Sequence, residues 1–173
     1  MSLTPRKKRK LLIILVALVV LRGFAAWFTW NKFFREEPEQ QFANEAERFK
    51  YGSIGAEADR GIPYWIWIVL PRIFPDLMPG PGGYRSFGLV WEEGKELPVG
   101  FTKRVIGFPR VANNCAICHT GVWRSKPDET PHVVATAPSH TADVQGLLRF
   151  FINVGKDPRF NADTVLGEID QVT

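Results

Sequence analysis

Cysteine is scarce in this chain. There are two among 173 residues, three apart in "NNCAICHTG", residues 113–121. That count excludes the multi-disulfide framework that staples small secreted domains. Acidic residues are missing from the first 35 positions, which carry eight basic ones, so the rest of the chain holds 14 basic against 18 acidic residues. The net charge of +4 therefore belongs to the N-terminal end. With no basic stripe in the body, no nucleic-acid partner is expected. Beyond residue 30, uninterrupted apolar stretches are too short to span a bilayer. The run "PGPGG" (79–83) has no Lys-Ser/Thr pair after it and is a loop, not a phosphate cradle. No carboxylate pair or Ser/His/Asp set points to other catalysis. Glu92 and Glu93 are adjacent, would face opposite sides of a strand, and read as a solvated turn.

What is present begins at the N-terminus. "RKKRK" (6–10) runs directly into "LLIILVALVVLRGFAAWFTW" (11–30). Twenty helical residues reach roughly 30 Å, the thickness of a bilayer core. Arg22 interrupts the run and is expected to snorkel toward an interface. Trp27 and Trp30 read as an interfacial aromatic belt. The alternative is a cleaved signal peptide, but "GFAAWF" is a poor small-residue cleavage site. The basic flank predicts a cytoplasmic tail (1–10), a single-pass anchor (11–30) in a bacterial inner membrane, and a body in the periplasm.

Residues 31–60 are expected to form a helical linker. In "REEPEQQFANEAERFKYG", Pro38 suits a first turn, Phe42, Ala46 and Phe49 share a face, and Gly52 ends the helix. "GIPYWIWIVLPRIFPDLMPGPGGY" (61–84) predicts one short helix, Pro63 to Leu70, followed by turns. It forms core or lies on the membrane surface. "SFGLVWEEGKELPVGF" reads as loop or a short hairpin. "FPRVANNCAICHTG" reads as a helix from Pro109 to Gly121. "SHTADVQGLLRFFINVG" is an amphipathic helix capped by Ser139 or Thr141, with Val144, Leu147, Leu148 and Phe151 on one face. "NADTVLGEIDQVT" begins a last helix, capped by Asp163, with Val165, Ile169 and Val172 on a face. It stops without a terminating signal, as a fragment of a longer protein would. The fold class expected is mainly α: a transmembrane helix, then a domain over 61–173 with long irregular loops, truncated at its C-terminus.

Three chemistries use Cys-x-x-Cys. A thioredoxin-type disulfide needs the motif at a helix start within a βαβ pattern, and none surrounds Cys115. Zinc needs about four ligands. Cys115, Cys118, His132 and His140 could supply them, but the two histidines are eight apart rather than three to five. Covalent haem needs two thiols on one turn to add to the two vinyl groups, followed at once by a histidine for the iron. Cys115, Cys118 and His119 meet that description, and the anchor exports them from the cytoplasm. One haem c is expected, with Cys115 and Cys118 as thioether links and His119 as proximal ligand, which makes residues 61–173 a cytochrome c-like haem domain. Candidates for the sixth iron position are Met78, His140 and, more weakly, His132. An open position, or a ligand from beyond residue 173, stands beside them.

The blocks "YGSIGAEADRGIPYWIWIVLPRIFPDLMPGPGGYRSFGLVWEEG" and "LPVGFTKRVIGFPRVANNCAICHTG", with the "SHTADVQGLLRF" helix, resemble the N-terminal half of the RoxA-like (rubber-oxygenase-like) cytochrome c proteins. These are distant relatives of the di-haem cytochrome c peroxidases. The resemblance covers roughly residues 50–173. It implies a periplasmic or secreted, mostly helical protein with two c-type haems, one of which binds O2 in the oxygenase or reacts with peroxide in the peroxidases. This chain has one CxxCH, so a second haem would need residues beyond 173. Its anchor argues against secretion toward an external polymer. Only the haem-binding role of Cys115, Cys118 and His119 carries over.

Three functions follow. The first is a membrane-anchored periplasmic c-type cytochrome that passes electrons to a redox partner protein or a larger membrane complex. The second is a haem peroxidase or oxygenase whose distal pocket is walled by Trp and Phe from residues 64–91. The third is a structural haem-bearing subunit.

Overall fold

The computed structural model describes residues 5–172. The first four residues of the expected basic tail and Thr173 lie outside the described residues. Helix α1 (Pro5–Thr29) starts on a proline, whose missing N–H costs nothing in a first turn. It continues through a wider turn, Trp30–Phe34, closed by Arg35 N–H donating to the Trp30 carbonyl at 2.9 Å. The 30 residues Pro5–Phe34 are long and apolar enough to cross a membrane, and none is buried by the rest of the chain.

The chain then runs extended. Glu36 bridges Ile106 in antiparallel fashion, and Glu37 N–H donates to the Val105 carbonyl at 3.0 Å. This pairing explains why the helix expected near Pro38 begins later, as α2 (Glu45–Tyr51). Its cap is Asn44, which accepts from Glu47 N–H at 2.9 Å, while the Glu47 carboxylate accepts from Ala43 N–H at 3.0 Å. Helix α3 (Ala56–Arg60) and the short strand β1 (Ile62–Pro63) lead into α4 (Tyr64–Ile73), which buries Trp67, Val69 and Leu70. Single 3-10 turns follow at Pro75–Leu77 and Gly83–Phe87.

Strands β2 (Phe101–Ile106) and β3 (Phe108–Asn113) form a hairpin about Gly107, and β1 completes a three-stranded antiparallel sheet in the order β1-β3-β2. The helix expected over Pro109–Gly121 is therefore corrected. The segment is strand β3, one 3-10 turn at Cys115–Ile117, and strand β4 (Thr120–Trp123), which pairs with β5 (His132–Ala135). The aromatic and β-branched residues of "FPRV" and "FTKRVI" find each other across the hairpin, and this pairing overrides the local helix signal. Pro109 is tolerated because β1 reaches only Arg110 and Val111, leaving Pro109 with a neighbour on one side.

Helices α5 (Val144–Val154) and α6 (Ala162–Ile169) close the body. Their caps differ from those expected. Asp143 accepts from Gly146 N–H at 2.8 Å, and Asn161 accepts from Thr164 N–H at 3.0 Å. Leu147, Phe150 and Val154 of α5 are buried and Val144 and Phe151 pack against the core, as expected for Val144, Leu147 and Phe151, while Leu148 is exposed. About half of the chain is helical, with some sheet.

The core is aromatic. Tyr84 stacks on Trp67 at 4.2 Å and donates its hydroxyl to the Trp67 carbonyl at 2.8 Å. Phe74, Phe87, Phe101 and Phe150 pack around them. Of the aromatic residues expected to wall a distal pocket, Trp67, Phe74 and Phe87 fill the core, Trp65 is exposed and Trp91 is half-buried beside a cavity of about 720 Å³.

Candidate functional site

The CxxCH turn grows out of the end of β3. Asn114 is buried and makes the turn. Its side-chain oxygen accepts from Ala116 N–H at 2.8 Å. Its amide donates to the Gly52 carbonyl at 2.9 Å and to the Phe49 and Lys50 carbonyls at 3.4 Å. One side chain therefore both caps the turn and satisfies the orphan carbonyls at the C-terminal end of α2. His119 N–H and Cys118 N–H both return to the Cys115 carbonyl, at 3.1 and 3.3 Å.

The turn sorts its side chains by direction. Ala116 (1% exposed) and Ile117 (6%) are buried, and Ile117 belongs to the core. Cys115, Cys118 and His119 are exposed, and both thiols are free. The two middle residues anchor the turn, and the three chemistry-bearing side chains face out.

Gly100 makes this approach possible. It has φ +89°, and its N–H donates to the Lys50 carbonyl at 3.0 Å while its carbonyl accepts from Asn114 N–H at 2.8 Å. A Cβ there would overlap the Ile117 backbone and sit 2.6 Å from Ile117 Cβ. Below the turn, Lys50 Nζ reaches both oxygens of Glu92 at 2.7 Å, and the Tyr51 hydroxyl donates to the same carboxylate at 2.7 Å. The expected solvated turn at Glu92 is in fact a half-buried brace for α2. Burial pushes the Glu92 carboxyl up, but the bonds from Lys50 and Tyr51 outweigh it and hold the group below its ordinary range. Burial, and after it the bond to Glu92, push the Tyr51 phenol well up.

Other candidates are placed unevenly. Ser139 N–H donates to the Cys118 carbonyl at 2.9 Å, so exposed His140 starts one residue from the motif. His132 pairs with Trp123 at the far end of the β4–β5 hairpin, about 10 Å along the strands from Thr120. There its ring stacks on Trp123 at 4.4 Å and bonds Glu129 at 3.0 Å. Met78 is half-buried against the aromatic core, as a packing residue. Among the described residues, no group of three or more His, Cys, Asp or Glu is placed to hold a metal ion, so the four-ligand zinc set is not assembled.

The donor set can be tested against a covalent haem. Two free, exposed thiols on one turn and an exposed adjacent imidazole suit it. Beside Cys115 lies a depression of about 310 Å³ lined by Arg48, Phe49, Ser53 and Ile54 among others. Ile54 is 61% exposed, which leaves apolar surface next to the thiol for a flat ring to cover. Sequence reasoning found the two cysteines and the histidine. It missed Asn114, Gly100 and Lys50–Glu92, which hold the turn through contacts remote in sequence.

Comparison with known proteins adds no family: no family model matches the chain, no curated protein does, and no solved structure does.

Proposed function

We propose that the chain is a membrane-anchored c-type cytochrome of a bacterial inner membrane, with its haem domain in the periplasm and one haem held covalently. Cys115 and Cys118 supply the thioether links and His119 the proximal nitrogen. The observation that carries the reading is the direction of the turn. Cys115, Cys118 and His119 point outward while Ala116 and Ile117 lock the backbone inward, behind a helix able to cross a membrane. The sequence resemblance over residues 50–173 supports the same reading.

When bound, the haem supplies a one-electron iron centre. The chain's own contribution is positional. Asn114 and Gly100 fix the turn, so thiols and imidazole stay on one outward face. Exposure of that face favours electron exchange with a partner protein or a larger membrane complex. Trp67, Phe74 and Phe87 lie in the core, while Trp91 lines a cavity of about 720 Å³ with Arg85 and His132, so the peroxidase or oxygenase reading stands as the alternative.

The test is an absorption spectrum of the full chain co-expressed with the haem-attachment machinery: oxidised, reduced, and reduced with CO. A haem that survives acid–acetone extraction and is lost in Cys115→Ala/Cys118→Ala supports the proposal. A chain without haem bands sinks it. A reduced spectrum unchanged by CO indicates electron transfer, and one that shifts with CO moves the oxygen- or peroxide-reacting function to the front.

A further inference from the structure

In the β2–β3 register, Arg104 lies directly opposite Arg110. Side chains directly opposite share a face and start about 5 Å apart, and two like charges so placed repel. The repulsion is only partly offset within the chain. Arg104 Nη2 donates to Glu36 Oε2 at 3.1 Å. Arg110 Nη1 donates to the Ala58 carbonyl at 3.2 Å, and its guanidinium lies 4.5 Å from the Phe108 ring. The Nε of each arginine is buried with no hydrogen-bond partner. Only Arg104 meets a carboxylate, so the facing pair keeps excess positive charge and unfilled donors, which is what an oxyanion would satisfy.

The place of the pair says which oxyanion is at hand. The segment leaving the apolar helix is zipped onto β2 through Glu37 N–H to Val105 and Gly107 N–H to the Arg35 carbonyl, the latter at 2.7 Å. A Cβ on Gly107 (φ +72°) would overlap Lys32 and Phe33, so the hairpin tip sits against the exit of that helix. Arg104 is two residues from Ile106, the partner of Glu36, and so lies within about 15 Å of Phe34 along the strand. Lys32 and Arg35 add charge of the same sign, Glu37 and Glu39 on the same segment oppose it, and Asp59 and Arg60, which follow Ala58 in α3, offset each other.

We infer that Arg104 and Arg110 form a binding site for the phosphate of an anionic phospholipid headgroup, which fixes the body on the membrane surface. This rests on the reading of α1 as a membrane anchor and not on haem attachment.

The experiment uses the full chain. Membranes are first washed with alkaline carbonate. Release of the protein would sink the anchor and the headgroup site together. The retained protein is then purified in maltoside micelles, and its thermal unfolding is followed by tryptophan fluorescence with phosphatidylglycerol added or with inorganic phosphate. Phosphatidylglycerol is expected to raise Tm by about 3 °C or more, and inorganic phosphate to leave it nearly unchanged. Arg104→Gln/Arg110→Gln should abolish the rise, and Glu36→Gln, which removes the internal competitor, should enlarge it. If the double variant does not fold, Glu36→Gln and Arg104→Lys carry the test, the lysine losing the two-pronged contact and reducing the rise. An equal rise with inorganic phosphate would overturn the lipid assignment. A rise that these substitutions leave unaltered would overturn the site.

Discussion

Gly100→Ala separates a strain in one residue from a collision with the turn that carries the cysteines. At φ +89° an alanine costs about 1–2 kcal/mol in the left-handed region. The new Cβ would also overlap Ile117, whose neighbours Cys115 and Cys118 bear the thiols. Ile117 is in the core and cannot swing away, so the turn must move by about an ångström, an overpacking cost of about 1–3 kcal/mol. A gain of about 0.4–1 kcal/mol returns from the stiffer unfolded chain. The net loss is about 2–4 kcal/mol, or roughly 5–12 °C in Tm. Gly94→Ala is the control: Gly94 has φ +73° and nothing within 4 Å of the added atom, so the same backbone strain comes without the collision. Calorimetry and in-gel haem staining of both variants read stability and thioether formation separately. If Gly100→Ala melts within about 2 °C of Gly94→Ala and stains equally, Gly100 does not hold the CxxCH turn and the argument for it fails.

Asn114→Ala should cost about 2–4 kcal/mol, since it strips the cap from the turn and leaves carbonyls at the end of α2 unpaired; chemical denaturation of the purified chain checks this, and a loss under about 1 kcal/mol would refute it. Glu57 is fully buried and accepts from the Ser53 hydroxyl at 2.6 Å and from Thr102, so Glu57→Ala should cost about 2–4 kcal/mol while Glu57→Gln, which keeps the volume and one acceptor, costs less. Glu92 has its carboxyl held below its ordinary value, so its contribution to stability is complete above the unfolded value near 4.5 and disappears as pH falls through the lower folded value. Acid titration of Tm should therefore be shallower in Glu92→Gln than in the parent below about pH 4.5, and parallel curves would show that the Lys50–Tyr51 brace is not formed.

A good part of this protein is legible in one dimension. The membrane-length helix follows from twenty apolar residues behind five basic ones, because backbone groups in hydrocarbon must be satisfied within the segment. The spacing of the two thiols and the imidazole in CAICH is what carries the expectation of a covalent haem. The amphipathic run at 144–154 was legible as a helix with Val144, Leu147 and Phe151 toward the core, but the exposure of Leu148 and the burial of Phe150 and Val154 depend on what packs against it. The strand identity of "FPRVAN" was not legible, since its partner "FTKRVI" makes it a strand only once the two lie side by side. Glu92 was misread for the same reason: Lys50 and Tyr51 are some forty positions away.

The sequence by itself determined which groups are available: an apolar helix, two thiols and a histidine, and a store of aromatic side chains. Tertiary structure decided where they point. Burial of Ala116 and Ile117, closure on Gly100 and the amide of Asn114 turn the cysteines and His119 outward, and the pairing of Glu36–Glu37 with β2 sets two arginines near the end of the apolar helix. These are contacts between residues 14 to 70 positions apart. Chain entropy keeps them unformed until the core supplies the energy to close such loops, so no local pattern of residues encodes them.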